Sequence, residues 1–163
     1  MPAMVDPTDG LTSFQEMFKR KIIDVKPCST DRKLFLHGDQ PAPGVMRLSY
    51  VRLQGRTVTA FVSFTPAEFI EGRPCFQAGV AVPQTHRGQG RAKEIVRAAI
   101  AEMRAGFSRA GIAPFWIEAI IHANNIASQR VAEATISPNR INVVDGNSGD
   151  NAFQYLMKVE KSE

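Results

Sequence analysis

Arg87-Gly88-Gln89-Gly90-Arg91 places two glycines and two guanidinium groups directly before a helical pattern in this 163-residue chain. The first N–H groups of a helix lack intrahelical partners, and the helix dipole adds partial positive charge there. Glycine at 88 and 90 lets an anionic oxygen approach those groups without meeting a Cβ atom. With Arg87 and Arg91 alongside, the turn suits a phosphate or pyrophosphate. A dinucleotide fingerprint would need glycine at Lys93, and a Walker A loop would need a Gly-Lys-Ser/Thr ending, so NAD and ATP lose their main support.

A second group of residues could handle protons. Glu118 is the one acid in the apolar run FWIEAII, where a carboxylate is costly to bury without a partner; it is a candidate general base. His122 could serve instead. Asn124 or Asn125 is placed to cap a helix that carries Ser128 on its first turn.

These residues need a scaffold, and the chain has the size and 44% hydrophobic content of one ordinary domain. Its formal charge of +4 is local: from Arg87 to Arg109 six basic residues face Glu94 and Glu102, which accounts for the whole excess. That concentration favours a small anionic ligand over a nucleic-acid track, and the basic helix lacks interleaved aromatics. Cys28 and Cys75 have no CxxC or ligand spacing, so neither a metal site nor a thiol nucleophile is expected. No apolar run approaches the roughly 20 residues of a membrane span, and the N-terminus lacks a signal pattern. A cytoplasmic protein without membrane attachment is the expectation.

Residues 1–12 read as a flexible leader before a single domain over 13–163. TSFQEMFKRKI can form a helix with Phe14, Met17 and Phe18 on one face. KLFLHGD reads as a strand, and Val45 to Phe64 as a hairpin turning at QGR. Thr65 to Pro74 reads as a loop holding Glu68 and Glu71, followed by the strand CFQAGVAV. After Gly90, residues Ala92, Ile95, Val96, Ala99, Ile100 and Met103 recur at helical spacing, with Gly106 or Gly111 as the stop. APFWIEAII then suits a buried strand reached by a crossover helix. A second helix follows with Ala127, Val131 and Ala134 facing one way, and two strands joined by Gly-Asn-Ser-Gly-Asp close the chain. The order is a β meander, two strand-helix units and a hairpin, a mixed α/β fold.

Arg87, Gly90 and Ala92 form R-x-x-G-x-A after the strand AGVAV, and Asn125 and Ser128 form N-x-x-S within FWIEAIIHANNIASQRVAEA. In both stretches the chain resembles the GNAT superfamily of N-acetyltransferases, closest to the branch of ribosomal-protein N-terminal acetyltransferases. The resemblance covers roughly Cys75 to Ala134. It implies a mostly antiparallel twisted sheet with a central, splayed parallel strand pair, and acetyl-coenzyme A as cosubstrate without a metal. The backbone of Val80, Ala81 and Val82 would pair with the pantetheine arm. Arg87, Gly88, Gln89, Gly90, Arg91 and Ala92 would hold the pyrophosphate, while Asn125 and Ser128 would face the thiol end. Ser128 could help to protonate the departing thiolate.

The implied activity is direct acetyl transfer to a primary amine, either a small molecule or a protein N-terminus; many members of the family are homodimers. The tyrosine that often serves the family as general acid is replaced by Ala132, and the Gly-Phe after that helix by TISPNR. A non-catalytic acyl-coenzyme A-binding module is the alternative that this departure motivates.

Overall fold

A computed structural model describes residues 6–146 and 148–163. The first five residues of the expected leader, and Asn147 of the closing turn, lie outside the described residues. Helix α1 (Pro7–Lys19) is followed by strands β1 (Lys26–Pro27), β2 (Phe35–Ala42), β3 (Val45–Gln54), β4 (Thr57–Ile70) and β5 (Arg73–Ala81). Then come α2 (Arg91–Arg109), β6 (Phe115–His122), α3 (Ile126–Thr135), β7 (Arg140–Val144) and β8 (Asn151–Val159). Among the described residues the strands form one sheet in the order β1-β2-β3-β4-β5-β6-β8-β7. β5 and β6 run parallel, and the other neighbours run antiparallel.

Two differences from the sequence reading have local causes. The helix begins at Pro7, within the stretch expected to be loose, because Asp6 caps it by accepting from Thr8 N at 2.8 Å and Pro7 occupies a first-turn position. Leu11, Phe14 and Phe18 form its buried face, with Met17 at the edge. The expected loop Thr65–Pro74 is instead the far end of a β4–β5 hairpin, turning at Glu71-Gly72. A register shift between Ala67 and Ile70 breaks the alternation there, and this hid the strand.

The sheet is covered on both faces. On one, α2 and α3 bury Ile95, Val96, Ala99, Met103 and Ala132 against Val62, Phe64, Phe115, Ile117 and Tyr155. On the other, α1 covers β4 and β5, packing Leu11, Phe14 and Phe18 on Phe61 and Ala81. α2 continues through Gly106 and stops at Ala110-Gly111. In α3 the buried residues are Gln129 and Ala132, with Ile136 just beyond; of the expected face, Ala127 and Ala134 are exposed and Val131 is half-buried against the core.

α2 is also tied to the chain between β1 and β2. The Glu102 carboxylate accepts from Ser29 N at 3.1 Å, from Thr30 N at 2.9 Å and from both hydroxyls. Partial burial raises its pKa, but the bonds from Thr30 and Ser29 outweigh that and hold it below the ordinary value. Asp31 is lowered chiefly by its bond from Arg52, at 2.7 Å. Carboxyls with depressed folded pKa values stabilise the fold above their unfolded pKa, and this contribution is lost as pH falls through the folded value. Calorimetric melting should therefore show the midpoint falling between about pH 5 and pH 3, with a shallower fall in Glu102→Gln.

Candidate functional site

The site is built around a gap in the sheet. β5 and β6 pair over Cys75↔Trp116, Phe76↔Ile117 and Gln77↔Glu118 and then separate, leaving Ala78–Ala81 without partners on that side. The 19-residue α2 and the N-terminus of α3 border the opening. The result is a cleft of about 540 Å³. A parallel pair that opens in this way exposes strand N–H and C=O groups to whatever enters.

Nearly all the expected cofactor residues line this cleft. Val80, Ala81 and Val82 form one wall, and Arg87, Gly88, Gly90, Arg91 and Ala92 form the turn. Asn125 and Ser128 stand on α3. Gln89 is not in the lining; its Oε1 accepts from Arg91 Nε at 3.1 Å, so it steers that guanidinium. Gly88 and Gly90 have φ of +75° and +74°, the left-handed region that side chains disfavour, and a Cβ at either would meet no atom within 4 Å. The glycines therefore serve the backbone path and the open space outside it, not close packing within the protein.

Gly90 is the N-cap of α2 and supplies no side-chain cap to the first turn. Those N–H groups face the same opening as Arg91, a ready anion site. Arg87 is partly committed to the turn itself, since its Nε donates to the Val82 carbonyl at 2.9 Å. Asn125 acts as the expected cap: its Oδ1 accepts from Ser128 N at 3.1 Å, fixing the helix start that presents Ser128.

Four further lining groups escaped the sequence reading: Thr8 from α1, His86, Lys93 and Arg130. Lys93 and Arg130 sit in segments already identified, and charge together with proximity to the motifs could have flagged them. Thr8 could not be found that way. It reaches the site because α1 starts close against β5, where a Cβ on Gly79 would lie 3.0 Å from Pro7 Cγ. Ala127 and Val131 also line the cleft, Ala127 exposed and Val131 partly packed on the core.

The candidate proton carriers lie on β6. Glu118 is half-buried at the last paired position before the gap, and its Oε2 accepts from Gln154 Nε2 at 2.8 Å. His122 ends the strand, with Nε2 at 3.1 Å from Asp145 Oδ2 and Nδ1 at 3.8 Å from Asp150. Ala132 packs into the core and does not line the cleft. Both cysteines are buried, and burial pushes each thiol up to about 12, which suits inert side chains. Among the described residues no cluster of three His, Cys, Asp or Glu is arranged to hold a metal ion, and no helix is long and apolar enough to cross a membrane.

Splayed strands, glycine turn and capped helix converge on one known architecture. The chain belongs to the GNAT acetyltransferase family, whose domain model matches residues 20–135. Solved structures agree in fold at low identity. The yncA structure from Salmonella typhimurium, with its cofactor acetyl-coenzyme A, is 20% identical, with a TM-score of 0.53 over 72% of this chain and 67% of that one. An acetyltransferase from the same organism, which modifies the N-terminal serine of ribosomal protein L7/L12, is 17% identical, with a TM-score of 0.53 over 70% of this chain and 64% of that one. The NatC complex bound to Gag peptide and coenzyme A gives 19% identity and a TM-score of 0.51 over 68% of this chain and 70% of that one. No curated protein matches the sequence significantly.

Proposed function

We propose that the protein is an acetyl-coenzyme A-dependent N-acetyltransferase that moves the acetyl group directly to a primary amine. The observation that carries this reading is the gap between β5 and β6 opening beside an N-terminus of α2 that has no side-chain cap. Its dimensions and chemistry fit a long thioester with a diphosphate at one end. Val80, Ala81 and Val82 would offer backbone groups to the pantetheine arm. The Arg87–Ala92 turn would take the pyrophosphate, with Lys93 and Arg130 adding charge nearby. On this arrangement the reactive end of the arm comes to rest beside Val80. Bound there, acetyl-coenzyme A supplies an activated acetyl thioester.

The chain's own residues handle orientation and protons. Asn125 holds the start of α3, so that the Ser128 hydroxyl can donate toward the departing sulfur. Glu118 and His122 are the two groups on β6 able to take a proton from the acceptor. A protein N-terminus is the favoured acceptor class, supported by relatives that act on L7/L12 and bind Gag peptide.

Calorimetric titration with acetyl-coenzyme A, with ATP and NAD as controls, tests the cofactor; thiol release in the presence of serine-initiated tripeptides tests the transfer. Micromolar binding of acetyl-coenzyme A alone, followed by peptide-dependent thiol release, is expected. Equal or absent binding of all three nucleotides would remove the reading, and tight binding without release to any amine would make the protein a binding module.

A further inference from the structure

Which of the two groups serves the acceptor can be decided from the strand register, given the cofactor placement proposed above. α2 and α3 occupy one face of the sheet, whereas on the other α1 packs chiefly on β4 and β5, with Val51 of β3 and His37 of β2 also against it, and leaves the β6 side of the gap less covered. An acceptor must therefore reach the gap from the α1 face. Ala81 packs in the α1 cluster, and alternation puts Gln77 on the same face. Its partner Glu118 shares that face, and so does His122, four residues on.

Continuing the Gln77↔Glu118 register across the gap brings Val80 level with Ile121, and Ala81 level with His122. His122 is then one residue from the level of Val80. Glu118 lies three residues away, about 10 Å, at the closed end of the gap. Its carboxylate is also held there by Gln154.

His122 has the construction of an oriented base. Asp145, only 7% exposed, stands at Nε2, so a neutral ring places its proton there and leaves the Nδ1 lone pair free. Asp150 is beyond hydrogen-bond reach of Nδ1. His122 borders a separate cavity of about 260 Å³ with Asn124, Asp150 and Asn151, and neither it nor Glu118 is among the residues lining the larger cleft, so the acceptor amine reaches the ring from the side of this smaller cavity. The backbone is anchored as well. Gln129 Nε2 donates to the carbonyls of His122 and Ala123 at 3.1 and 3.0 Å, and its Oε1 accepts from Arg140 at 3.1 Å.

We propose that His122, oriented by Asp145, is the catalytic base that takes the proton of the acceptor amine. The amine nitrogen forms its bond to the acetyl carbonyl carbon, and its proton passes to Nδ1 directly or through one water. The carbon–sulfur bond breaks with its electron pair on sulfur. Sulfur takes a proton from water, and the imidazolium returns its own to the hydroxide so formed. Asp145 stabilises the intervening imidazolium.

The test compares wild type, His122→Gln, Asp145→Asn and Glu118→Gln, with acetyl-coenzyme A affinity by calorimetry and thiol release with water and with serine-initiated tripeptides. His122→Gln should lower kcat at least about 100-fold while affinity stays within about twofold. Asp145→Asn should lower it less, and imidazole in the buffer should restore part of the His122→Gln rate. Glu118→Gln should lose under about tenfold. Wild-type kcat in His122→Gln, or a greater loss in Glu118→Gln, overturns the assignment. So does a wild type that binds acetyl-coenzyme A yet releases no thiol above the buffer rate. Failure to bind acetyl-coenzyme A would be a failure of the cofactor reading itself.

Discussion

Gly90→Glu is expected to weaken acetyl-coenzyme A binding by at least about 100-fold, a loss of about 2.7 kcal/mol or more. Two terms contribute. Any L residue at φ +74° pays roughly 1–2 kcal/mol of left-handed strain, or the turn relaxes and the first N–H groups of α2 lose their aim. A carboxylate at the N-cap also sets a negative charge where the diphosphate must sit, costing on the order of 1–4 kcal/mol at 4 Å for effective dielectrics between water and a protein surface. The protein itself has room for the side chain, since a Cβ there meets nothing within 4 Å. The melting midpoint should therefore fall only by the backbone strain, about 2–8 °C. Gly90→Ala separates the terms, because it carries the strain without the charge; calorimetry should place it between wild type and Gly90→Glu. Equal affinity in all three would mean that no anion uses this turn.

That turn was legible in the sequence because everything it needs is contiguous. Arg87 to Ala92 specify a left-handed kink, a helix start and local charge within six residues, and the following periodicity of Ile95, Val96, Ala99 and Met103 matches the buried face of α2. Asn125 and Ser128 were legible for the same reason, since a cap and its first turn are local. The β3–β4 hairpin, with its alternation and central Gly55, also follows the sequence pattern.

What escaped depends on contacts between distant segments. His122 looks like an isolated histidine until the β7–β8 connection brings Asp145 to it, 23 positions along the chain. Glu118 looks like an acid without a partner until β8 pairs with β6 and supplies Gln154. Apolar periodicity puts Ala127, Val131 and Ala134 on one face of α3 but does not distinguish a face packed on the sheet from one lining a cleft. Ala127 belongs to the second kind and Val131 to both, and the fully buried positions of the helix are Gln129 and Ala132, one of them polar. Gln129 can be buried because its amide meets two carbonyls and the Arg140 guanidinium. Ala132 shows where the missing tyrosine would stand: this position faces the core, and in the proposed reaction the proton for sulfur would come from Ser128 or water.

Phe115→Ala should produce the largest stability loss, about 3–5 kcal/mol, corresponding to roughly 6–20 °C in melting midpoint for a chain of this size. Phe115 is fully buried and packs edge-on against Phe107 and Phe76, at centroid distances of 4.9 and 6.0 Å, while Phe76 and Phe107 lie 5.3 Å apart. The three rings join α2 to β5 and β6 at the end of the gap where the strands still pair. Removing the central ring leaves a cavity that the two remaining rings, fixed on separate strand and helix backbones, can fill only in part. The gap itself lies further along the strands, so below the lowered midpoint the variant should bind acetyl-coenzyme A within about tenfold of wild type. Differential scanning calorimetry and titration at low temperature check both halves. A midpoint within about 2 °C of wild type would mean that the rings do not fasten α2 to the parallel pair. Normal stability loss with binding abolished would mean that the paired end and the open end of the gap are one mechanical unit, and that closure of the strands below Glu118 sets the shape of the cleft above it.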